Sequence, residues 1–396
     1  MNNTQVIPYA QQWIDEDDVR AVAEVLHSPY IARGPKVEEF ERELLRVVSA
    51  PFAIVVSSGT AGLHIACLAA GIGHGDEVIT SPNTFVASAN CIVYCGATPV
   101  FADIDPRTYN IDPLEVERKI TERTRAVIPV HFAGQSCDME TIVAVVRAAE
   151  KRFGHKIWII EDACHVLDSK YKGRQVGACE YGDMAVMSFH PVKHITSGEG
   201  GVVFAHDSSI AEKLRLLRGH GITRDPAKFS QQPGPWYQEQ IDLGYNYFIT
   251  DIQCALGISQ LKKLSRFSKR RKEIVAQYNT AFHNLPHFEI PFESPDCEST
   301  FHLYIPQIDF SALGISRAKF FDELKGRGVG AQVHYIPVHL QPYYQKKFGY
   351  KKGDFPKAEA YYERCVSLPL YPKMADDDVK TVIQAVKEVI QQYSSP

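Results

Sequence analysis

A lysine, an aspartate and several small hydroxyl residues are spaced along this sequence so that they could assemble one reactive site. Lys193 stands at the centre of the stretch Ser188-Phe-His-Pro-Val-Lys193-His-Ile-Thr-Ser-Gly-Glu-Gly-Gly201, which apolar runs flank on both sides. This pattern predicts a turn between two strands. Burial in such a place lowers the pKa of an amine and makes it a nucleophile that can form a Schiff base. Because an isolated lysine is usually a solvated surface residue, the other motifs decide its interpretation.

Two motifs contain small or polar residues that could bind an anion. The motif Ser57-Ser58-Gly59-Thr60-Ala61 follows an apolar run and precedes a helical pattern. Its backbone N–H groups and hydroxyls could bind a phosphate at a helix N-terminus, although a plain helix cap is the simpler reading of this motif alone. Asn246, in Gly244-Tyr-Asn246, ends a long irregular segment at 219–250 and could reach an anion or support the following turn. Such a long segment favours a functional or interface role.

Two further motifs supply an aromatic ring and a carboxylate. Phe85 ends the motif Ser81–Phe85 and could stack on a planar ring or belong to the core. Asp162 ends an apolar run in Ile159–His165, where it could keep a pyridine nitrogen protonated or cap a helix. Pyridoxal phosphate (PLP) has one phosphate, one planar ring, one ring nitrogen and one aldehyde. Because each motif meets one of these needs, the sequence predicts a PLP site.

The order of apolar and helical patterns indicates how these residues are positioned. From residue 52 onward, short apolar runs alternate with helical segments, which favours an α/β fold with a mainly parallel seven-stranded sheet. The predicted strands are Phe52–Val56, Glu77–Thr80, Pro99–Ala102, Ala126–Val130, Ile157–Ile160, Ala185–Phe189 and Val202–Ala205. The Lys193 turn joins the last two directly, so they could be antiparallel. Parallel strands bring their carboxyl ends to one edge of a sheet, where the motifs would meet.

Three regions are predicted along the chain. Residues 1–50 form an N-terminal helical segment, residues 51–255 a large PLP-binding domain and residues 256–396 a smaller α+β domain. A long helix is predicted from Asp251 to about Phe282, and its basic part at 266–272 is expected to be solvated. The smaller domain is predicted to hold strands near 303–308 and 331–334.

Composition argues against several classes of protein. The chain of 396 residues has a net charge of −4, which gives no reason to expect nucleic acid or an anionic membrane as a partner. No apolar run approaches the roughly 20 residues that span a bilayer, and the first residues lack the pattern of a secretory signal. The nine cysteines form no Cys-x-x-Cys pair, which argues against a metal site and fits a reducing cytoplasm. We therefore expect a cytoplasmic protein without a metal.

Together, the motifs resemble those of the DegT family of sugar aminotransferases. The resemblance runs from Ile7 to Leu370 and rests on four stretches, Ser188–Lys193, Glu199–Gly201, Gly244–Asn246 and Ala331–His339. It implies the aspartate-aminotransferase-like fold (PLP fold type I) and a homodimer with shared active sites. It also implies L-glutamate as amino donor and a UDP-linked 4-keto-6-deoxy-N-acetyl sugar as acceptor. The 4-amino product would serve the synthesis of pseudaminic acid or a related surface glycan.

The resemblance further implies roles for individual residues. Lys193 would bind the cofactor covalently and shuttle a proton, Asp162 would pair with the ring nitrogen, and His165 would lie by the phenolic oxygen. The other cofactor-binding residues would be Ser58, Gly59, Thr60, Phe85, Ser188 and, from the second subunit, Asn246. Positions near the nucleotide-sugar would be Tyr9, Pro29, Tyr30, Ile31, Ala32, Gly59, Ser188, Asn246, His334, Tyr335, Ile336 and Pro337.

The chain departs from the pattern of the family in three places. Relatives commonly read Ala-Leu-Gly where this chain has Val166-Leu-Asp168, Pro where it has His194, and Arg where it has Phe248. A dehydratase branch carries His at the lysine position itself, so Lys193 favours transamination. The alternatives left open are an aminotransferase for another nucleotide keto sugar (3-keto or dTDP-linked), a PLP-dependent sugar dehydratase and a PLP-binding regulator without catalysis.

Overall fold

The computed structural model describes residues 6–394 and places seven strands in one central sheet. In chain order the strands are β1 (Phe52–Val56), β2 (Glu77–Thr80), β3 (Thr98–Phe101), β4 (Thr124–Ile128), β5 (Trp158–Asp162), β6 (Lys170–Tyr171), β7 (Arg174–Gln175), β8 (Met184–Ser188), β9 (Gly201–Ala205), β10 (Ile222–Thr223), β11 (Glu239–Gln240), β12 (Phe288–Glu289), β13 (Cys297–Glu298) and β14 (Gln307–Ile308).

The central sheet has the strand order β1-β9-β8-β5-β4-β2-β3. Its strand β9 runs antiparallel to both neighbours, and the other six strands share one direction. The predicted mainly parallel α/β sheet is therefore confirmed, and the two strands around Lys193 are antiparallel. The six strands that point the same way bring their carboxyl ends to one edge.

Helices cover both faces of this sheet, which explains why its strands lack a polar face. In β1, Ala53 and Val55 belong to one buried apolar cluster, whereas Ile54 and Val56 belong to another. This alternation follows from the two-residue period of a strand. The helices are α1 (Glu16–Leu26), α2 (Pro35–Val48), α3 (Gly59–Ala69), α4 (Ala87–Tyr94), α5 (Pro113–Lys119), α6 (Met139–Phe153), α7 (Ser208–Arg218), α8 (Asp251–Leu261), α9 (Leu264–Phe282), α10 (Arg317–Gly326), α11 (Pro342–Phe348), α12 (Pro356–Arg364) and α13 (Asp376–Ser394).

The C-terminal part differs from the predictions in three ways. The long helix predicted over 251–282 is two helices, α8 and α9, separated at Lys262 and Lys263. The predicted strand at 303–308 is reduced to β14, and residues 331–334 contribute an isolated bridge between Gln332 and Ser367. Within the basic stretch expected to be solvated, Arg271 is buried and donates to the backbone oxygens of three neighbouring residues, Phe301, His302 and Leu370. The predicted domain boundaries stay predictions.

The irregular segment at 219–250 holds the short antiparallel pair β10–β11 and carries several exposed apolar side chains. Trp236 is 76% exposed and Leu243 is 71% exposed. A backbone bridge joins Gly219 to Asn246, and another joins Ala32 to Thr250. The segment is therefore attached to the loop before α2. Across residues 6–394, no helix combines the length and the apolar character needed to cross a membrane.

Candidate active site

The carboxyl edge of the sheet borders a cavity of about 690 Å³, a volume typical of small-molecule sites. Twelve predicted site residues line this cavity, namely Tyr9, Ser58, Gly59, Thr60, Phe85, Asp162, His165, Ser188, Lys193, His334, Tyr335 and Ile336. They come from the ends of β1, β5 and β8, from the loop after β2, and from chain segments near residues 9 and 335. The fold thus brings together motifs that are more than three hundred residues apart in sequence.

The N-terminus of α3 forms one end of the cavity. Ser58 caps this helix, because its Oγ accepts a hydrogen bond of 3.1 Å from the backbone N–H of Ala61. A Cβ atom on Gly59 would lie 2.9 Å from the Cβ of Ser188, so only glycine allows the helix to start this close to β8. The first turn of a helix has backbone N–H groups without helical partners, and these favour an anion. The hydroxyls of Thr60 and Ser188 complete a set of donors that fits a phosphate.

Asp162 is held at the end of β5 by two neutral donors. Its Oδ2 accepts a hydrogen bond of 2.6 Å from Ser88 Oγ, and its Oδ1 accepts one of 3.2 Å from the backbone N–H of Cys164. Ser88 Oγ lies 2.7 Å from Thr84 Oγ1, which must donate to it because Ser88 donates to the carboxylate. The side chain is 6% exposed. A buried carboxylate fixed by neutral donors suits a protonated ring nitrogen as its cationic partner.

Lys193 lies in the turn between β8 and β9, where its backbone N–H donates to the oxygen of His190 at 2.9 Å. The side chain is half-buried, lines the cavity and, within the described residues, makes no hydrogen bond or salt bridge. Burial lowers the pKa of the Lys193 amine, although the nearby Cys164 and Asp162 oppose this change. The amine is therefore closer to its neutral, nucleophilic form than a surface lysine.

His165 is buried beside the same cavity as a neutral imidazole. Burial holds its pKa well below the ordinary range, and the nearby Lys193 lowers it further. Its Nδ1 accepts from the backbone N–H of Ala133 at 3.4 Å, so we assign the proton to Nε2. That nitrogen lies 3.4 Å from the hydroxyl of Tyr335. His165 can therefore donate a hydrogen bond toward a group in the cavity.

The other predicted positions are not among the residues that line the cavity of their own chain. Pro29, Tyr30, Ile31 and Ala32 form the loop before α2, which is tied to α8 by a hydrogen bond of 3.1 Å from the Asp251 N–H to the Ile31 oxygen. Asn246 is exposed on the segment before α8, and Pro337 follows the lining residue Ile336. Their predicted contacts with ligands, which for Asn246 require a second subunit, stay predictions.

The three departures from the family pattern have distinct structural settings. Asp168 has a φ of 69°, a left-handed conformation that glycine favours and aspartate tolerates better than most residues. His194 is buried outside the cavity, with its Nε2 2.9 Å from Thr300 Oγ1. The ring of Phe248 lies 4.0 Å below the guanidinium of Arg33.

Sequence reasoning missed several residues of the site. Ser88, which donates a hydrogen bond to Asp162, lies 74 positions before it in the sequence and belongs to no recognised motif. Cys164, Glu199 and Gln341 line the cavity without an assigned role. Cys164 stands in the Asp162 motif and Glu199 in the Lys193 stretch, so closeness in sequence to these two residues is the available signal. In the described part of the chain, no three His, Cys, Asp or Glu residues are grouped so that they could hold a metal ion.

Known proteins similar to this chain match nearly all of its length. The sequence profile of the DegT/DnrJ/EryC1/StrS aminotransferase family matches residues 12–387. The spore coat polysaccharide biosynthesis protein SpsC of Bacillus subtilis is 45% identical over 385 residues, which are 97% of each chain. The uncharacterized protein MJ1066 of Methanocaldococcus jannaschii is 46% identical over 384 residues, again 97% of each chain.

Solved structures agree with this family. The structure of Spr1654 from Streptococcus pneumoniae in its pyridoxamine phosphate (PMP) form matches this chain with a TM-score of 0.90 and 32% identity. The match covers 98% of this chain and 100% of Spr1654. Its PLP-form also has a TM-score of 0.90, with 31% identity over the same shares. PseC of Helicobacter pylori, an aminotransferase involved in the biosynthesis of pseudoaminic acid, has a TM-score of 0.89 and 30% identity, over 98% of this chain and 100% of its own.

These likenesses account for the fold and for the cofactor that the cavity fits. The fold is that of the type I PLP enzymes, as predicted. The donors at α3, the carboxylate of Asp162 and the amine of Lys193 match the phosphate, ring nitrogen and aldehyde of PLP. The chain belongs to the DegT/DnrJ/EryC1/StrS aminotransferase family, a family of sugar aminotransferases, and its cofactor is PLP.

Proposed function

We propose that this protein transfers the amino group of L-glutamate to C4 of a UDP-linked 4-keto-6-deoxy-N-acetyl sugar. The product would be a 4-amino sugar nucleotide for pseudaminic acid or a related surface glycan. The proposal includes a cytoplasmic homodimer that shares its active sites. The likeness to PseC supports the proposed pathway, and the likeness to SpsC supports a role in polysaccharide synthesis.

The observation that carries the proposal is the placement of Lys193 and Asp162 in one cavity beside the N-terminus of α3. When bound, PLP supplies an electron sink for the electron pair left on the reacting carbon of the substrate. Asp162 keeps a proton on the ring nitrogen, because a buried carboxylate strongly favours a cationic neighbour. Lys193 Nζ holds the proton that moves to or from the reacting carbon. His165 Nε2–H donates a hydrogen bond that orients the ring.

Three further lining residues, Tyr9, His334 and Tyr335, support a sugar as substrate. Tyr9 packs against His334 with 5.5 Å between ring centroids, and His334 Nδ1 lies 2.7 Å from Ser367 Oγ. Burial lowers the pKa of His334 to about 4, so it is neutral at neutral pH. Tyr335 adds a hydroxyl whose pKa burial raises above the ordinary value. Uncharged hydrogen-bonding groups of this kind match sugar hydroxyls.

Product analysis tests this proposal directly. The holoenzyme is incubated with L-glutamate and a panel of 4-keto and 3-keto sugars linked to UDP or dTDP, with Lys193→Ala as control. We expect 2-oxoglutarate and a 4-amino product from the UDP-linked 4-keto-6-deoxy-N-acetyl sugar. Faster amination of a 3-keto or dTDP-linked sugar contradicts the proposed acceptor.

Two other results would replace transamination with an open alternative. Loss of a sugar hydroxyl without transfer of nitrogen indicates a dehydratase. A cofactor absorbance band that L-glutamate leaves unchanged indicates a PLP-binding protein without catalysis.

A further inference from the structure

The cavity is short of positive charge for a phosphate ligand. Its lining includes two carboxylates, Asp162 and Glu199. Among the described residues, Lys193 is the only lysine or arginine in that lining. A phosphate monoester carries nearly two negative charges at neutral pH, whereas a helix N-terminus supplies the equivalent of about half a positive charge. Because Lys193 is committed to the chemical step, the cation that balances a phosphate must come from elsewhere.

Arg33 is an exposed cation held in place by stacking. Its guanidinium carbon lies 4.0 Å from the centroid of the Phe248 ring, and its backbone adopts a left-handed φ of 58°. Within residues 6–394 it makes no hydrogen bond or salt bridge. Two other cations near it are paired, since Lys36 lies 2.7 Å from Glu39 and Arg218 lies 2.9 Å from Glu41. The charge of Arg33 is therefore available to an anion.

The loop that carries Arg33 is fixed to the segment that carries Phe248 and Asn246. Asp251 accepts hydrogen bonds from the backbone N–H groups of Gly34 at 2.7 Å and Lys36 at 2.9 Å. The bridge between Ala32 and Thr250 adds a second connection. Arg33 and Asn246 therefore belong to one rigid surface, although neither lines the cavity of its own chain.

Exposed apolar side chains on this surface indicate that another protein surface covers it. Tyr30 is 57% exposed and Ile31 is 52% exposed on the loop, and Leu243 is 71% exposed on the adjoining segment. Apolar side chains gathered at an exposed site are typical of interfaces. The occupant that matches by charge is a second copy of this chain, because its cavity lacks the cation that Arg33 presents.

We propose that Arg33 of one subunit binds a phosphate group in the cavity of the other subunit, with Phe248 as the platform that aims the guanidinium. The inference rests on the homodimer of the proposed function and does not depend on which sugar is aminated. Two phosphate sources share this chemistry, the cofactor monophosphate and the diphosphate of the nucleotide. Binding measurements separate them.

The first experiment measures dissociation constants of the apo protein for PLP, for pyridoxal (which lacks the phosphate) and for UDP. We expect Arg33→Gln to weaken either PLP or UDP about tenfold or more, the value of a hydrogen bond to a charged group, and to leave pyridoxal unchanged. Loss with PLP assigns the cofactor phosphate, and loss with UDP assigns the nucleotide. Unchanged binding of both overturns the proposal.

Two variants serve as controls for this measurement. Arg107→Gln removes a guanidinium that stacks on Phe292 at 4.1 Å, away from the cavity lining, and should bind all three ligands like the wild type. Arg33→Lys keeps the charge and should retain most of the affinity. If Arg107→Gln weakens phosphate binding as much as Arg33→Gln, the effect is one of net charge and the proposal fails.

The second experiment tests whether Arg33 acts across the dimer. Arg33→Gln and Lys193→Ala proteins are mixed, allowed to exchange subunits and titrated with the ligand that Arg33→Gln weakened. In a mixed dimer, the site that keeps Lys193 receives its arginine from the Lys193→Ala subunit. We expect a class of sites with wild-type affinity among those that keep Lys193. It is recorded for PLP as the absorbance of the lysine-bound cofactor and for UDP as inhibition of transamination, which Lys193→Ala sites do not perform. If no such class forms although subunits exchange, Arg33 acts within its own chain and the proposal fails.

Discussion

The sheet edge and the surface around Arg33 present their polar groups in opposite ways. At the sheet edge, Asp162 is buried and receives two hydrogen bonds from fixed donors. On the outer surface, Arg33 and Asn246 are exposed, and the guanidinium rests on an aromatic ring. Covalent and proton-transfer chemistry needs reacting groups held within fractions of an ångström, which strand ends provide. A cation that neutralises a phosphate can be positioned less exactly, so a residue on a loop can supply it.

The largest expected effect belongs to the sheet edge. Lys193→Ala removes the nucleophile and the proton carrier, so transamination should fall by at least about a thousandfold, within the range for loss of a general acid–base group. Because the Lys193 side chain makes no hydrogen bond within the described residues, the fold should persist. Steady-state rates and thermal unfolding check both points. Turnover near the wild-type rate would show that another residue performs the chemistry.

A smaller loss is expected when the charge of Asp162 is removed. Asp162→Asn should bind PLP but lose most of its activity, because an amide does not stabilise a protonated ring nitrogen. Ser88→Ala removes the hydrogen bond of 2.6 Å to Asp162 and should lower the rate by about tenfold, as expected for a hydrogen bond to a charged group. Rate measurements on PLP-saturated protein compare the two. Unchanged kinetics of Asp162→Asn would mean that Asp162 only supports the backbone.

The smallest effect is expected at His165. Because burial keeps its pKa well below the ordinary value, the imidazole is already neutral above about pH 6, and no proton leaves it between pH 6 and pH 8. His165→Gln keeps a neutral donor and should retain activity within about tenfold. The pH profiles of kcat/KM for wild type and variant should have the same shape in this range. An acidic limb in the wild type that the variant lacks would show a titrating histidine.

The sheet and its ligand edge could be predicted because their signals are local. Runs of buried apolar residues such as Phe52–Val56 and Glu77–Thr80 have the predicted boundaries. Strand periodicity also separates Asp162 from its neighbour Glu161, because successive side chains of a strand point to opposite faces. Glu161 Oε2 lies 2.8 Å from His131 Nε2, and Asp162 lines the cavity.

Features that depend on distant partners could not be predicted. Arg271 stands in a basic stretch that reads as solvated, yet it is buried, and burial lowers its pKa to about 10. It donates to the backbone oxygens of Phe301, His302 and Leu370, up to 99 positions away. The hydrogen bond between Ser88 and Asp162 could not be predicted for the same reason. Tertiary packing creates it, and nothing in the sequence near either residue indicates the other.

The antiparallel course of β9 has a consequence for the movement of Lys193. The last residue of β8, Ser188, pairs with the first residue of β9, Gly201, so the twelve residues between them form a loop clamped at both ends by one ladder. The amine can then change position by rotation of its own side-chain bonds, on the picosecond to nanosecond scale, while the clamped backbone stays in place. A single-residue deletion within β8 would shift this register and turn Ser188 to the opposite face. The pairing of β8 with β9 therefore limits how far the amine of Lys193 can extend into the cavity.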